Sequence, residues 1–440
     1  MHATLPRWTM VAWAAWLALV AAVPALLAAD GANSSSRRTE DETAGAFVSV
    51  TDQASPTLDP QDETSCDAAD ECGANCDEPV ERFWARAEYL YWWVQGNRLP
   101  SLVTTSPDGT SPNVAGILGN DQTTILFGNE SVDEQSRSGG RLRFGYVFGC
   151  EAEFGLEADL IGIGDGGGTH FAAPFPVRAS ILARPIINAA TGQEDAQLVA
   201  FPELSDGQID VGTSSELYSA AASLRRNWFV GESSRWDLLA GYRYFRYREG
   251  LTFDEQMISR ELGSLIQVGT QIAVRDQFKT ANDFHGCELG LSYTLDRGPW
   301  SVDLLTKVAL GNVHQVIEIG GRTQVTTPGD PPTLRAGGLL ALPSNMGSVS
   351  CNQFAVLPEW GIHMTRKATE HVSLTVGYDW LLLTNTVRTG DQIDRTVDRS
   401  QLSPFLNGTA ATAAASRPAN PFHQTTIMAH GVNAGIQFTY

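Results

Sequence analysis

The chain has 440 residues, 42% of them hydrophobic and 18% charged, with a formal net charge of −20. So acidic a polypeptide repels a phosphate backbone, which excludes a nucleic-acid partner. Mean hydropathy is −0.14, and beyond the N-terminus no run approaches the ~18 consecutive apolar residues of a membrane helix, so a helical membrane protein is excluded as well.

The opening MHATLPRWTM carries Arg7 and no acid. An apolar run from Trp8 to Ala29 follows, and the sequence turns polar at Asp30. This pattern predicts a signal peptide over 1–29, cleaved near Ala28 to Ala32. An uncleaved anchor is the alternative, since the run is just long enough to span a bilayer. Residues 30–80 hold thirteen acids against Arg37 and Arg38, for a net of −11. That is more than half of the whole deficit, and Phe47 is the only aromatic there. Such a segment buries too little apolar surface to offset its chain entropy, so it is expected to be a disordered periplasmic linker. Cys66, Cys72 and Cys76 sit at its end. Their spacing fits no standard zinc pattern and no histidine is near, which favours one oxidised pair and a spare thiol over a metal site.

From 81 onward the chain is expected to be all-β. Ten amphipathic strands can be placed, at 82–94, 137–149, 151–164, 214–229, 235–250, 281–296, 300–318, 351–366, 370–388 and 422–440. Each reaches the 9–11 residues that a tilted membrane strand needs. The connections alternate. Strands meet closely at Gly149–Cys150, at Gly231 to Ser234, at Arg297 to Pro299 and at Lys367 to Thr369; the other five connections are about 30 residues or more on this placement. Short turns at one end and long loops at the other are the habit of a transmembrane antiparallel up-and-down β-barrel, periplasmic turns being short and outer loops long. About ten strands are expected, and twelve also fit.

Side-chain phase supports this. Tyr89, Tyr91 and Trp93 oppose Arg86 and Glu88; Leu142, Phe144, Tyr146 and Phe148 oppose Arg141 and Arg143. Leu156, Ala158 and Leu160 oppose Glu157 and Asp159; Trp236, Leu238, Tyr242 and Tyr244 oppose Asp237 and Arg243. The apolar faces are assigned to lipid. Aromatics gather near strand ends as two interfacial girdles: Trp228, Trp236, Trp300, Phe438 and Tyr440 below, Tyr91 and Trp93 above. The lumen is then assigned Arg86, Glu88, Arg141, Arg143, Glu153, Glu157, Asp159, Arg225, Asp237, Arg243, Glu288, Asp303, Lys307, Glu359 and Asp379. Ten strands enclose little beyond the filled interior of an eight-stranded barrel. These charges are therefore expected to pair as a plug, because a lone buried charge is costly. A soluble sandwich with solvated charges would explain the alternation but not the loop sorting.

Polar residues also concentrate at the long-loop end. Asp276, Gln277, Thr280 and Asn282 are placed just before strand six; Arg388, Asp391, Gln392, Asp394 and Arg395 just after strand nine. They read either as an outer rim that binds a ligand or as loop chemistry, in which Asp and Asn satisfy backbone groups and Arg pairs with Asp. Loop chemistry is the favoured reading. A hydrolase would need Asp276, Asp283, His285, Asp391 and Asp394 to converge within hydrogen-bond reach. No G-x-S-x-G or H-E-x-x-H occurs, and Gly164 to Gly168 lacks the Lys-Ser/Thr of a phosphate loop. No enzyme activity, metal or cofactor is expected. The final strand, from Met428, alternates strictly and closes on Tyr440, like the terminal strand of outer-membrane barrels.

Residues 82–440 resemble the BBP7 family of outer-membrane β-barrel proteins, typical of planctomycete bacteria. The resemblance rests on FWARAEYLYWWVQGNRLPSLVTT (Phe83 to Thr105), RDQFKTANDFHGCELG (Arg275 to Gly290), WSVDLLTKVALGN (Trp300 to Asn312), VLPEWGI (Val356 to Ile362) and VGYDWLLLTNTVRTGDQIDRTVD (Val376 to Asp398). One departure is Thr389, where the family usually has proline before GDQID. The resemblance implies a barrel in the outer membrane, in contact with its lipid and handled by the barrel-assembly machinery through the C-terminal strand. It implies no activity. Three functions are weighed: a non-catalytic barrel with a structural or surface-interaction role and a plugged lumen, a narrow solute or ion pore, and a rim hydrolase.

Overall fold

The computed structural model describes residues 82–148, 153–165, 168–173, 181–260, 266–406 and 416–440. The predicted signal peptide, the linker with its three cysteines and the Gly149–Cys150 turn lie outside the described residues. The chain divides into Met1–Gly73 and Ala74–Tyr440, and the fold is that of the second unit.

Ten strands form the wall: β1 (Phe83–Val94), β2 (Ser136–Phe148), β3 (Phe154–Ile163), β4 (Ser205–Val230), β5 (Ser234–Ser259), β6 (Gln271–Arg297), β7 (Trp300–Thr326), β8 (Gly347–Lys367), β9 (Val372–Val387) and β10 (Gln424–Thr439). Each pairs antiparallel with the next. The ring closes between β1 and β10, from Trp84 opposite Thr439 to Val94 opposite Ala429. Closure leaves no membrane-level edge, which lipid would not tolerate because it offers backbone groups no partner. Among the described residues the closed ring has ten strands, and two short strands, His170–Ala173 beside β4 and Thr333–Ala336 beside β7, bring the sheet to twelve without entering the ring.

Alternation explains the lower half of every strand. Tyr89, Leu142, Phe144, Leu156, Leu238, Tyr242, Leu374 and Val376 are exposed on the outer surface. Leu90, Arg141, Asp159, Asp237, Arg243 and Asp379, one residue out of phase with them, are buried inside. Trp228, Trp300, Phe438 and Tyr440 are exposed near one end of the wall, Tyr91 and Trp380 toward the other.

The upper half departs from the sequence expectation. β5 continues to Ser259 and β6 begins at Gln271, where the pattern placed ends at 250 and 281. The connection between them is therefore eleven residues, 260–270. β4 and β7 lengthen likewise, so that β4 and β5 span 26 residues each and β6 and β7 span 27. The reason is an inversion of polarity. Along β5 the outer residues run from Trp236, Leu238, Tyr242 and Tyr244 to Arg246, Arg248, Asp254 and Gln256. The inner residues run from Asp237 and Arg243 to Phe245, Leu251 and Phe253, all buried. The period of two never breaks; only the signs of the two faces exchange, where lipid gives way to water outside and loops fill the inside. At ~3.3 Å per residue and ~40° of tilt, 27 residues rise about 70 Å, far above a ~25 Å apolar belt.

The interior is layered. Charges fill the lower lumen. Above them Leu90, Trp92, Phe245, Tyr247, Phe284, Val313, Leu357, Leu381 and Leu383 form a buried apolar layer. Burying each such side chain contributes roughly 1.5–3 kcal/mol. Higher still, the walls at Leu251, Phe253, Ile272, Val274, Phe278, Ile317 and Val325 pack on Leu102, Leu182, Ile186, Val199 and Leu339 to Leu342 from the loops. Three of those loops contribute a small sheet of their own, built from Val103–Thr105, Thr124–Phe127, Leu182–Asn188, Glu194–Ala200 and Thr396–Val397. The long loops thus form a cap with its own core.

Trypsin added to intact cells should cut after Arg335, which is exposed on the strand Thr333–Ala336, and spare Arg297 and Lys367 beside the short turns. External cleavage at either spared site would reverse the topology.

Candidate functional site

The charged lumen centres on Arg141, fully buried on β2. Its Nε donates to Asp159 Oδ1 on the adjacent β3 at 2.8 Å, and one terminal nitrogen contacts the other oxygen of that carboxylate. The guanidinium also reaches across the lumen, to Asp379 on β9 at 2.8 Å and to Glu359 on β8 at 2.6 Å. Arg243 on β5 donates to Glu359 at 2.7 Å and to Glu288 at 3.1 Å. Lys307 on β7 lies 3.0 Å from Glu288. His363 meets Asp379 at 3.3 Å, and Asn433 on β10 donates to the same carboxylate. Trp92 Nε1 donates to Asn433 Oδ1 at 2.7 Å, which ties the network to the apolar layer above. Glycine makes room for it: a Cβ on Gly361 would lie 2.1 Å from Asp379 Oδ1.

A second group lies off this centre. Arg225 bridges Glu157 at 2.5 Å and Asp237 at 3.0 Å. Arg86 donates to Gln437 at 2.9 and 2.6 Å and stands 3.8 Å from Asp303. Arg143 is looser, 3.6 Å from Asp159 and 4.0 Å from Glu359. Glu88 is buried with neither carboxylate oxygen in a hydrogen bond. Glu153 is placed elsewhere: it precedes β3 and is exposed, because the strand starts at Phe154 and the alternation that would turn it inward has not begun. Without it, six cations of the predicted set face eight carboxylates. His363, expected only as an interface or lumen packing residue, joins the network, and Asn433 and Gln437 were not anticipated in it. All three share the inward phase, so a survey of every inward polar residue, not only charged ones, would have found them.

The predicted rim residues are placed differently from expectation. Asp276, Thr280 and Asn282 lie within β6, pointing inward and buried, while Gln277 lies on the opposite face. Asp276 is a cradle anchor. It accepts backbone N–H groups of Leu339 at 3.0 Å, Leu340 at 3.1 Å and Ala341 at 3.0 Å, plus Arg184 at 2.9 Å. A Cβ on Gly338 would stand 2.0 Å from its Oδ1, so only glycine fits there. Arg184 also pairs with Glu255 and lies 4.7 Å over the Phe253 ring. Burial raises the Glu255 carboxyl, and Arg184 only partly offsets this. Asn282 makes reciprocal bonds with Val387, donating to its carbonyl at 2.9 Å and accepting its N–H at 2.8 Å.

Arg388, Asp391, Gln392 and Asp394 do follow β9. Arg388 donates to Glu249 at 2.6 Å and to the carbonyls of Gly96 and Gln95 at 2.7 and 2.9 Å. Burial opposes its charge, but Glu249 outweighs this and holds the guanidinium above its ordinary value. Thr389 donates its N–H to Glu249 at 3.1 Å and accepts from Asn97 at 2.5 Å. Proline at this position could make neither bond. Gln392 clamps His423, donating to its carbonyl at 2.8 Å and accepting its N–H at 3.1 Å. Burial raises the half-buried Asp391 carboxyl. Arg395 pairs with Glu194 at 2.6 Å. Arg388 and Thr389 tie this loop to the wall, and Gln392 and Arg395 tie loop segments to one another.

Asp394 supplies a pH test of how that loop is held together. Burial alone would raise its carboxyl, yet the Ala419 amide at 2.9 Å, Arg417 at 2.8 Å and the Thr396 amide at 2.9 Å hold it below the ordinary range. A depressed carboxyl contributes stability that is present above its unfolded value of about 3.9 and lost as pH falls through the folded value. Hydrogen-exchange protection of the Thr396 and Ala419 amides should therefore fall below about pH 4. In Asp394→Asn it should be low at neutral pH and insensitive to acid. Equal protection profiles would remove Asp394 as the anchor.

The hydrolase set does not converge. Asp283 and His285 face outward on β6, where Asp283 accepts from Tyr244 at 2.9 Å and His285 meets Tyr242 at 2.5 Å. Asp276 lies on the other side of the wall, in its cradle.

A closed antiparallel meander with an apolar belt, a charged lumen and a capped end defines an outer-membrane-type β-barrel. The chain belongs to the family described as Putative beta barrel porin-7 (BBP7), whose pattern matches residues 84–440. No curated protein matches it. Among solved structures it is similar to the outer membrane protease OmpT of Escherichia coli, at 9% identity and a TM-score of 0.39, over 83% of this chain and 100% of that one. It is also similar to the toluene transporter TodX of P. putida, at 6% identity and a TM-score of 0.18, over 82% and 90%. Likenesses this distant carry no argument about activity.

Proposed function

We propose that this protein is a sealed, non-catalytic barrel of the outer membrane with a structural or surface-interaction role. One observation carries the reading: the lumen is crossed by the Arg141 ion cluster and, directly above it, by the apolar layer around Trp92, Phe245 and Phe284. A path for solute would have to separate buried ion pairs and then displace packed aromatics. The polar residues at the outer end support loop tethering and not chemistry, since Asp276, Asn282, Arg388, Gln392, Asp394 and Arg395 are each engaged with backbone or an opposite charge. On this reading the exported chain keeps its apolar belt in lipid, and β10, the strand that closes the ring, is the segment presented to the assembly machinery.

A narrow ion path is the second reading, favoured by Glu88, whose buried carboxylate makes no hydrogen bond, and by the loosely held Arg143. Proteoliposome swelling separates the two. Vesicles loaded with pure protein should not swell in isotonic arabinose or glycine. Swelling at porin rates would transfer the function to the pore.

A further inference from the structure

The polar outer wall above the membrane is mostly laid out in charge pairs. Arg246 meets Asp283, Arg248 meets Glu216 at 3.6 Å, and Arg275 meets Asp254 at 2.5 Å. One place near the outer tip breaks this habit. There a groove of about 410 Å³ opens on the outer face, lined in part by Gln208, Gln256, Gln271, Ala273, Gln324 and Thr326. No lining residue is charged, in a chain whose net charge is −20.

Register explains its shape. Gln208 on β4 stands opposite Gln256 on β5, Gln256 opposite Ala273 on β6, and Ala273 opposite Gln324 on β7. This is one row across four strands, with amides at three positions and a methyl at the fourth. Strands lie ~4.8 Å apart, so Gln256 and Gln324 are separated by about 10 Å with only Ala273 between them. Gln271 and Thr326, paired with each other, close the outer side. Gln208 Nε2 donates to Gln256 Oε1 at 3.1 Å, which orients the Gln256 amide and leaves its N–H groups free. In the adjacent row Arg275 is engaged with Asp254 and Asp210 with His170 at 2.9 Å, and Asp206 pairs with Arg260 at 2.6 Å, while Arg322, opposite Arg275, is exposed outside the lining.

We infer that this groove, at the place where Ala273 interrupts a glutamine row, binds a neutral saccharide. An amide presents both donors and an acceptor, the complement of a hydroxyl, which also does both. A sugar ring edge offers several hydroxyls at close spacing and no charge, and the volume lies in the usual range for small-ligand sites of about 300–1,000 Å³. A charged ligand would gain nothing from the lining. No aromatic platform lies in the groove, so a single site is expected to be weak, about millimolar, and to act through repeated copies on a cell surface. The inference rests on the surface-interaction reading and names its ligand class; sealing of the lumen is read separately by the swelling assay.

The test uses the full-length barrel in lipid nanodiscs, fluorescently labelled, over immobilised maltotriose, cellotriose, N,N′-diacetylchitobiose and trigalacturonate. At least one of the three neutral sugars should retain the protein. Ala273→Gln fills the gap and should abolish retention, while Gln256→Ala and Gln324→Ala should each weaken it about five- to tenfold, the worth of one or two hydrogen bonds. Arg248→Ala, in a lower row, should change nothing. Heat-shifted gel migration certifies folding of each variant; if Ala273→Gln does not fold, the two alanine variants carry the test. Retention by no neutral sugar, retention by the acidic sugar alone, or retention untouched by Gln256→Ala and Gln324→Ala would each overturn the site. So would a change of oligomeric state in Ala273→Gln, which would assign the groove to a second copy of this chain.

Discussion

Replacing Arg141 with methionine should destabilise the barrel by about 3–5 kcal/mol, the cost of removing one partner from a buried ion group. Asp159, Glu359 and Asp379 all take the same guanidinium, and the side chains of Arg141, Glu359 and Asp379 have no measurable exposure. Methionine fills the space but leaves three carboxylates facing one another. Arg143→Leu should cost less, because its nearest contacts are 3.6 and 4.0 Å away. Phe144→Leu should cost little, since Phe144 is exposed on the lipid face and one apolar side chain replaces another. Urea unfolding of refolded protein in micelles, followed by tryptophan fluorescence and by gel migration with and without heating, would rank the three. Equal small losses would mean that water screens the lumen and that the charges act independently.

The second large effect concerns closure. Planar bilayers containing the protein should show no steady conductance. Shortening the cap between Thr327 and Arg335 should leave them silent, because the apolar layer and the ion cluster remain below it. Emptying the layer as well, with Trp92, Phe245 and Phe284 all changed to alanine, should give flickering openings, since the network below then meets bulk water. Trp92 is the most consequential of these, because its indole also holds Asn433 against Asp379. Steady channels from the unaltered protein would remove the plug; silence from the triple variant would show that the ion cluster seals alone.

The lower barrel was legible because lipid imposes one rule on every strand: apolar outside, anything else inside. Arg86 and Glu88 opposite Tyr89 and Tyr91 are enough to set the phase of β1. The upper wall was not legible by that rule, since Arg246, Arg248 and Asp254 face water while Leu251 and Phe253 face a cap. Nothing in β5 marks the exchange except the swap itself, so a search for an outward apolar stripe stops at Tyr244. At the rim, the chemistry of Asp276 was readable in kind, an acid satisfying backbone N–H groups, but its partners are not neighbours in sequence. Leu339 to Ala341 come from another loop, and no local pattern links them to β6. Arg184 was missed outright. A lone cation in the apolar stretch Ile181 to Ile187 is a signal for a buried ion pair, and it points to Glu255 and Asp276 only once the cap is folded.

The cross-lumen pairs also constrain how the chain enters the bilayer. Arg141 and Asp159 sit on neighbouring strands and can neutralise each other in a hairpin. Asp379 and Glu359, at sequence separations of 238 and 218 from Arg141, cannot meet it until the sheet curls round. A partly built sheet in lipid would present those carboxylates to hydrocarbon with no cation opposite, at a cost of several kcal/mol each. Strand-by-strand insertion is therefore uphill, and the route of least resistance delivers a nearly closed cylinder whose charges meet as it enters. Refolding into preformed vesicles should accordingly be slow and all-or-none, with rates set by ring closure and not by the formation of any single hairpin.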